Sequence, residues 1–152
     1  MTPLDTPTVR LAHLDDAATM PTRATPGALA YDLATVREET IAPHATEIVP
    51  TGLQLAEDLP CDATRGLAML ILPRSSLPLK HGLILPNSPG LVDADYAGPI
   101  GIIVHNLKDE AVRLPAGTRI AQALFVEVRF PEIRRAAEGD PTRTRGGFGS
   151  TG

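Results

Sequence analysis

The chain has no tryptophan, two tyrosines and three phenylalanines among 152 residues, and a single cysteine, Cys61. Each shortage excludes something. With so few rings the core has to be aliphatic, which leans toward strands built from Val, Ile and Leu. One cysteine rules out an internal disulfide and a Cys-based zinc site, and it suits a reducing compartment. The four histidines, His13, His44, His81 and His105, are scattered without metal-ligand spacing. The longest apolar run, GLAMLIL at 66–72, falls far below the roughly 18 residues of a membrane span, so no membrane partner is expected. MTPLDTPTVR lacks the charged and apolar regions of a signal peptide, and a soluble, cytoplasmic protein is the expectation. Positive charge is short as well. Fourteen Lys and Arg against eighteen Asp and Glu give a formal net charge of −4. A nucleic-acid backbone would be repelled unless basic residues cluster, so no nucleic-acid partner is expected.

Breakers, by contrast, are plentiful. Fifteen prolines and thirteen glycines are spread along the chain, and no window of a dozen residues keeps helical periodicity uninterrupted. The runs between them read as strands: 8–14, 31–35, 46–56, 66–73, 98–107 and 119–130. Many short strands separated by turns predict an all-β sandwich or barrel. The segment SSLPLKHG at 75–82 predicts one helical turn, capped by Ser75 or Ser76 and ended by Gly82. From Pro131 onward strand character is lost, which predicts a β domain over 1–130 and an extended arm over 131–152. There is no internal repeat.

Five stretches could carry chemistry. PRSSL at 73–77 puts a guanidinium and two hydroxyls directly after a strand, which is either an anion cradle or a solvated arginine beside an ordinary helix cap. NSPGLVDADYAGPIG at 87–101 reads as a hairpin whose glycines let backbone approach a planar ligand, with Asp93 placed to orient water and Tyr96 offering a flat face. Its bland alternative is a plain turn served by its Asp residues. Gln122 lies in an apolar strand and needs partners, in neighbouring backbone or in a polar site. Asp32 sits in a strand-like run where acids are rare, and a salt bridge is its default explanation. The tail RTRGGFGSTG at 143–152 has four glycines in its last seven residues and two arginines before them. It is either a frayed end or a nest that closes on anions.

In this order and at this spacing, ATPGALAYDL, PRSS, NSPGLVDADYAG, RIAQ and GGFGSTG resemble the five motifs of the trimeric dUTPases, from about residue 23 to the C-terminus. The resemblance implies an all-β, jelly-roll-like fold of the β-clip type, a homotrimer with shared active sites and an extended C-terminal arm. It implies hydrolysis of dUTP to dUMP and pyrophosphate with Mg²⁺ as cofactor, which keeps uracil out of DNA and supplies dUMP for thymidylate synthesis. Asp93 would activate the water, and Tyr96 would pack on deoxyribose and exclude a 2′-hydroxyl. Asn87, Gly90, Val92 and Gly101 would read uracil. Arg74, Ser75, Ser76 and Gln122 would meet phosphates, and Asp32 would hold Mg²⁺ through water. In the tail, Phe148 would stack on the base while Arg143, Gly149, Ser150 and Thr151 close on the outer phosphates; spacing from Phe148 favours Arg143 over Arg145. The related dCTP deaminase pattern asks for a glutamate where this chain has Ile103. A catalytically idle nucleotide sensor is the rival from another class, and retention of Asp93 argues against it.

Overall fold

The structure is a computed structural model in which residues 7–138 are described. Its backbone is an antiparallel pair, β5 (Arg65–Pro73) and β10 (Arg119–Arg129), matched residue for residue from Ala121↔Pro73 to Arg129↔Arg65. Adding β2 (Tyr31–Ala34) to the free edge of β10 and β7 (Gly90–Val92) to that of β5 gives one four-stranded sheet, ordered β2-β10-β5-β7. The second sheet is β1 (Leu11–His13), β4 (Thr46–Leu55), β8 (Pro99–Asn106) and β6 (Leu83–Ile84), ordered β1-β4-β8-β6. A two-stranded piece pairs β3 (Glu39–Ile41) with β9 (Val112–Leu114).

Period-two alternation decides which side of each strand is buried. In β4, Val49, Thr51, Leu53 and Leu55 point inward while Ile48, Pro50 and Gln54 point out. In β8, Ile100, Ile102, Val104 and Asn106 do the same. These inner faces meet Leu67, Met69, Ile71, Ala121 and Ala123 of the other sheet in one aliphatic core. The all-β, jelly-roll-like expectation therefore holds. Among the described residues, no helix is long and apolar enough to cross a membrane.

Two expectations change. The stretch 87–101 is not a hairpin, because β7 pairs with β5 while β8 pairs with β4 and β6. The loop between Val92 and Pro99 instead carries the chain from one sheet to the other, and its Asp and Gly residues serve that crossing. The helical turn exists as a single π turn, Leu77–His81, closed by Gly82 in the left-handed region at φ 67°. Ser76 sits at its N-cap without making a side-chain cap bond. Proline inside the first turn already removes one orphan donor.

One buried polar side chain ties the end of the second sheet together. Asn106 is fully buried, and its Nδ2 donates to the carbonyls of Ile41 (3.1 Å), Ala42 (3.1 Å) and Glu110 (2.8 Å). Its Oδ1 accepts from the Lys108 amide at 2.9 Å. Asn106→Ala should remove four hydrogen bonds from a largely buried junction and cost about 2–4 kcal/mol. Urea unfolding checks this, and a loss below about 0.5 kcal/mol, the usual surface value, would show the network to be dispensable.

Candidate active site

The predicted site residues that the structure describes fall into two groups. The first lines a cavity of about 330 Å³ between β7 and the start of β8, which brings together Asn87, Gly90, Val92, Asp93, Tyr96 and Gly101. Ile71, Ile100 and Ile103 give it apolar walls, while Asp93 and Asn87 are exposed to solvent at its edge. Tyr96 is held in place from two sides. Its hydroxyl donates to the Pro99 carbonyl at 3.0 Å, and its ring lies so close over Gly98 that a Cβ there would meet the hydroxyl oxygen at 2.5 Å. Only glycine fits under that ring. At Gly101 a Cβ would come within 2.5 Å of the Ile48 side chain, so a larger residue would have to push that side chain aside.

The second group sits where β2, β10 and the end of β5 meet. Asp32 and Gln122 are directly opposed across the β2–β10 pair, so they share a face of the sheet. Gln122 Nε2 donates to the Pro73 carbonyl at 3.0 Å, which resolves its partner as neighbouring backbone. Asp32 is 8% exposed, and the salt bridge expected for it is double. Arg74 Nη1 donates to its Oδ1, and Arg119 Nη1 donates to its Oδ2 at 3.1 Å. Sequence reasoning does not single out Arg119. Its only signal was a place at the head of the RIAQ stretch. Arg74 Nε is buried without a partner, so Asp32 does not saturate this guanidinium. Burial, and after it the like charge of Arg119, pulls Arg74 below the ordinary arginine value. The local sum is one negative charge against two positive ones. Ser75 and Ser76 follow at once in the chain, Ser75 exposed and Ser76 half-buried.

The two groups are far apart within one chain. β7 runs antiparallel to β5 with Met69↔Val92 and Ile71↔Gly90. Continued one step, this register sets Asp93 beside Ala68, and the Ala94 carbonyl indeed accepts from Leu59 near that end. Arg74 lies six residues beyond Ala68, just past the end of β5, a distance of about 20 Å at the rise of a strand. Three consecutive phosphates are much shorter than that. Arg143, Arg145, Phe148, Gly149, Ser150 and Thr151 lie outside the described residues.

Residues 16–152 match the family model described as dUTPase. The chain is 44% identical over 148 residues to the deoxyuridine 5′-triphosphate nucleotidohydrolase of Dinoroseobacter shibae, a match covering 91% of this chain and 90% of that protein. It is 43% identical over 136 residues to the enzyme of the same name from Shewanella oneidensis, covering 88% and 86%. Among solved structures, the dUTPase of Staphylococcus bacteriophage 80alpha with dUPNHPP is similar at a TM-score of 0.81 and 25% identity, over 97% of this chain and 99% of that one. The dUTPase of phage phi11 of S. aureus, described with a structural Mg(II) ion, is similar at a TM-score of 0.76 and 20% identity, over 88% and 99%.

Replacing Asp32 by Asn would keep its shape but leave two guanidiniums facing each other without a counter-charge. Asp32→Asn should therefore lower stability by about 1–3 kcal/mol, and by more in low salt than in high salt. Denaturant unfolding at two ionic strengths reads this out; a loss independent of salt would mean that charge is not the reason.

Proposed function

Because the chain belongs to the dUTPase family, we propose that it hydrolyses dUTP to dUMP and pyrophosphate, with Asp93 as the general base. Water attacks the α-phosphorus, its proton passes to the Asp93 carboxylate, and the bond to the bridging oxygen of the β-phosphate breaks to release pyrophosphate. The observation that carries this reading is the cavity of about 330 Å³ in which Asp93, Tyr96 and Asn87 stand together. An amide such as Asn87 can both donate and accept, as the edge of uracil requires, and the backbone near Gly90, Val92 and Gly101 offers the rest. The fixed Tyr96 ring packs against the sugar and leaves no room for a 2′-hydroxyl. Hydrolysis by this route keeps uracil out of DNA and yields dUMP for thymidylate synthesis.

Arg74, Ser75, Ser76 and Gln122 are the phosphate contacts in this proposal. Their cluster has a positive surplus and the Arg74 side chain is a quarter exposed, which suits a polyanion. The 20 Å between this cluster and Asp93 supports a site assembled from separate copies of the chain: one copy binds phosphates, its neighbour supplies Asp93 and the nucleoside cavity, and a closed homotrimer carries three such sites. The domain over 1–130 forms this assembly, and the arm over 131–152 closes it, with Phe148 on the base and Arg143, Gly149, Ser150 and Thr151 on the outer phosphates.

Mg²⁺ fits this site only as an ion held mainly by the substrate. Among the described residues no cluster of three or more His, Cys, Asp or Glu side chains exists, and each Asp32 oxygen already accepts from an arginine. A carboxylate oxygen has further lone pairs, so Asp32 can still accept from water on such an ion, and Mg²⁺ commonly keeps its waters while binding phosphate oxygens. When bound it supplies charge neutralisation on the triphosphate.

The protein with Mg²⁺ should release pyrophosphate from dUTP and not appreciably from UTP, dTTP or dCTP. Ammonia released from dCTP, or dUTP binding without turnover, would defeat the proposal. The shared site has its own test. Asp93→Asn and Arg74→Ala chains should each be nearly inactive alone, yet random mixing of the two in a closed threefold ring should restore about a quarter of wild-type turnover. If co-refolded mixtures stay inactive, the site is not divided between copies.

A further inference from the structure

Strand β10 changes parity next to the phosphate cluster. Ala121 pairs with Leu33, but Arg119 pairs with Ala34, so β10 uses two steps where β2 uses one. Ile120 is the extra residue of this bulge, and it stays fully buried. In unbroken alternation Arg119 would share the inward face of Ala121 and Ala123. The bulge turns it to the face of Ala34 and Asp32, and such re-aiming of one side chain is a known effect of bulges beside functional sites. The turn before it is anchored by the buried Thr35, whose Oγ1 donates to the Pro115 carbonyl at 2.9 Å and accepts from the Thr118 amide at 3.1 Å. The chain thus fixes Arg119 on Asp32 by its backbone, although more than half of that side chain is exposed.

What this does to Arg74 follows from the geometry of guanidinium–carboxylate pairs. Left alone, an arginine and a carboxylate tend to close a two-pronged pair that uses both oxygens and two donors. Here Arg119 occupies Oδ2, and Arg74 reaches Oδ1 alone, through one nitrogen. Asp32 therefore anchors Arg74 without consuming its fork. We propose that Arg119 is a positioning residue for the polyphosphate: by taking half of Asp32, it limits Arg74 to one oxygen and keeps that quarter-exposed guanidinium and the cluster's positive surplus available to the substrate. The inference rests on the phosphate role given above to Arg74 and deepens it.

The experiment separates phosphate binding from nucleoside binding. Wild type, Arg119→Ala and Arg119→Lys are compared with inorganic tripolyphosphate and with deoxyuridine as competitive inhibitors, alongside KM and kcat for dUTP and a melting curve. In Arg119→Ala, tripolyphosphate should bind about ten-fold more weakly, as loss of one charge-assisted contact at Arg74 implies, while deoxyuridine binding stays within about two-fold. KM should rise more than kcat falls. Arg119→Lys, which keeps a charge for Oδ2, should recover most of the loss. If Arg119→Ala does not fold, Arg119→Met carries the same test, since it keeps the apolar stem without donors or charge. Unchanged tripolyphosphate binding, or equal loss of both inhibitors, overturns the inference while leaving wild-type hydrolysis of dUTP intact. A wild type that binds neither inhibitor overturns the functional reading and this inference with it.

Discussion

The pairing of β5 with β10 constrains everything else in the molecule. Because nine consecutive residues are matched without a break, β5 cannot shift or bend to bring its two ends together. Its outer edge receives β7, and with it the cavity that holds Asp93 and Tyr96. At its far end, across β10, stands Asp32 with its two arginines. The same hydrogen bonds that stabilise the sheet therefore hold the Asp93 cavity and the Asp32 cluster apart. If the two groups act on one triphosphate, as proposed, the positioning that phosphoryl transfer needs would come from assembly rather than from the fold of one chain.

A protein of net charge −4 that handles a triphosphate has to concentrate positive charge locally. In the proposed reading the Asp32 cluster does so with few residues. Two guanidiniums would repel each other on a bare surface, and a carboxylate paired to just one of them would cancel it. Placing one carboxylate between two arginines avoids both outcomes, and burying it sharpens the local field. Several other arginines, such as Arg113 with Glu38 and Arg134 with Glu132, are spent in exposed pairs. Those pairs add little to stability and leave no surplus of charge.

Much of this was legible in the sequence, for reasons that can be named. The long strands β4, β5, β8 and β10 were found because each carries enough apolar residues to stand out between breakers, and β8 and β10 agree with the reading to within one residue at each end; the short β1 and β2 were found inside longer runs read as 8–14 and 31–35. β3, β6, β7 and β9 were not found, since two or three residues such as Glu39–Ile41 or Leu83–Ile84 are too few to show any period. The hairpin reading of 87–101 failed because turn residues announce a change of direction without saying which strand the chain pairs with next. Gly90, Tyr96 and Gly101 were recognised by their order in a motif, and the structure places them around one cavity. Arg119 stood in the RIAQ stretch with no role assigned to it, and only the observed register reveals the extra residue at 120 that turns it toward Asp32.

The bulge at Ile120 also governs how this stretch can change over generations. Exchanges of one aliphatic residue for another at 120 leave the count of residues intact and should be absorbed by the core. Loss of a single codon there would restore even spacing and leave the arginine opposite Ala34, but it would take a fully buried side chain out of the core and shorten the chain between the Thr118 turn and Ala121. Drift in composition is open to this strand, whereas drift in length is closed.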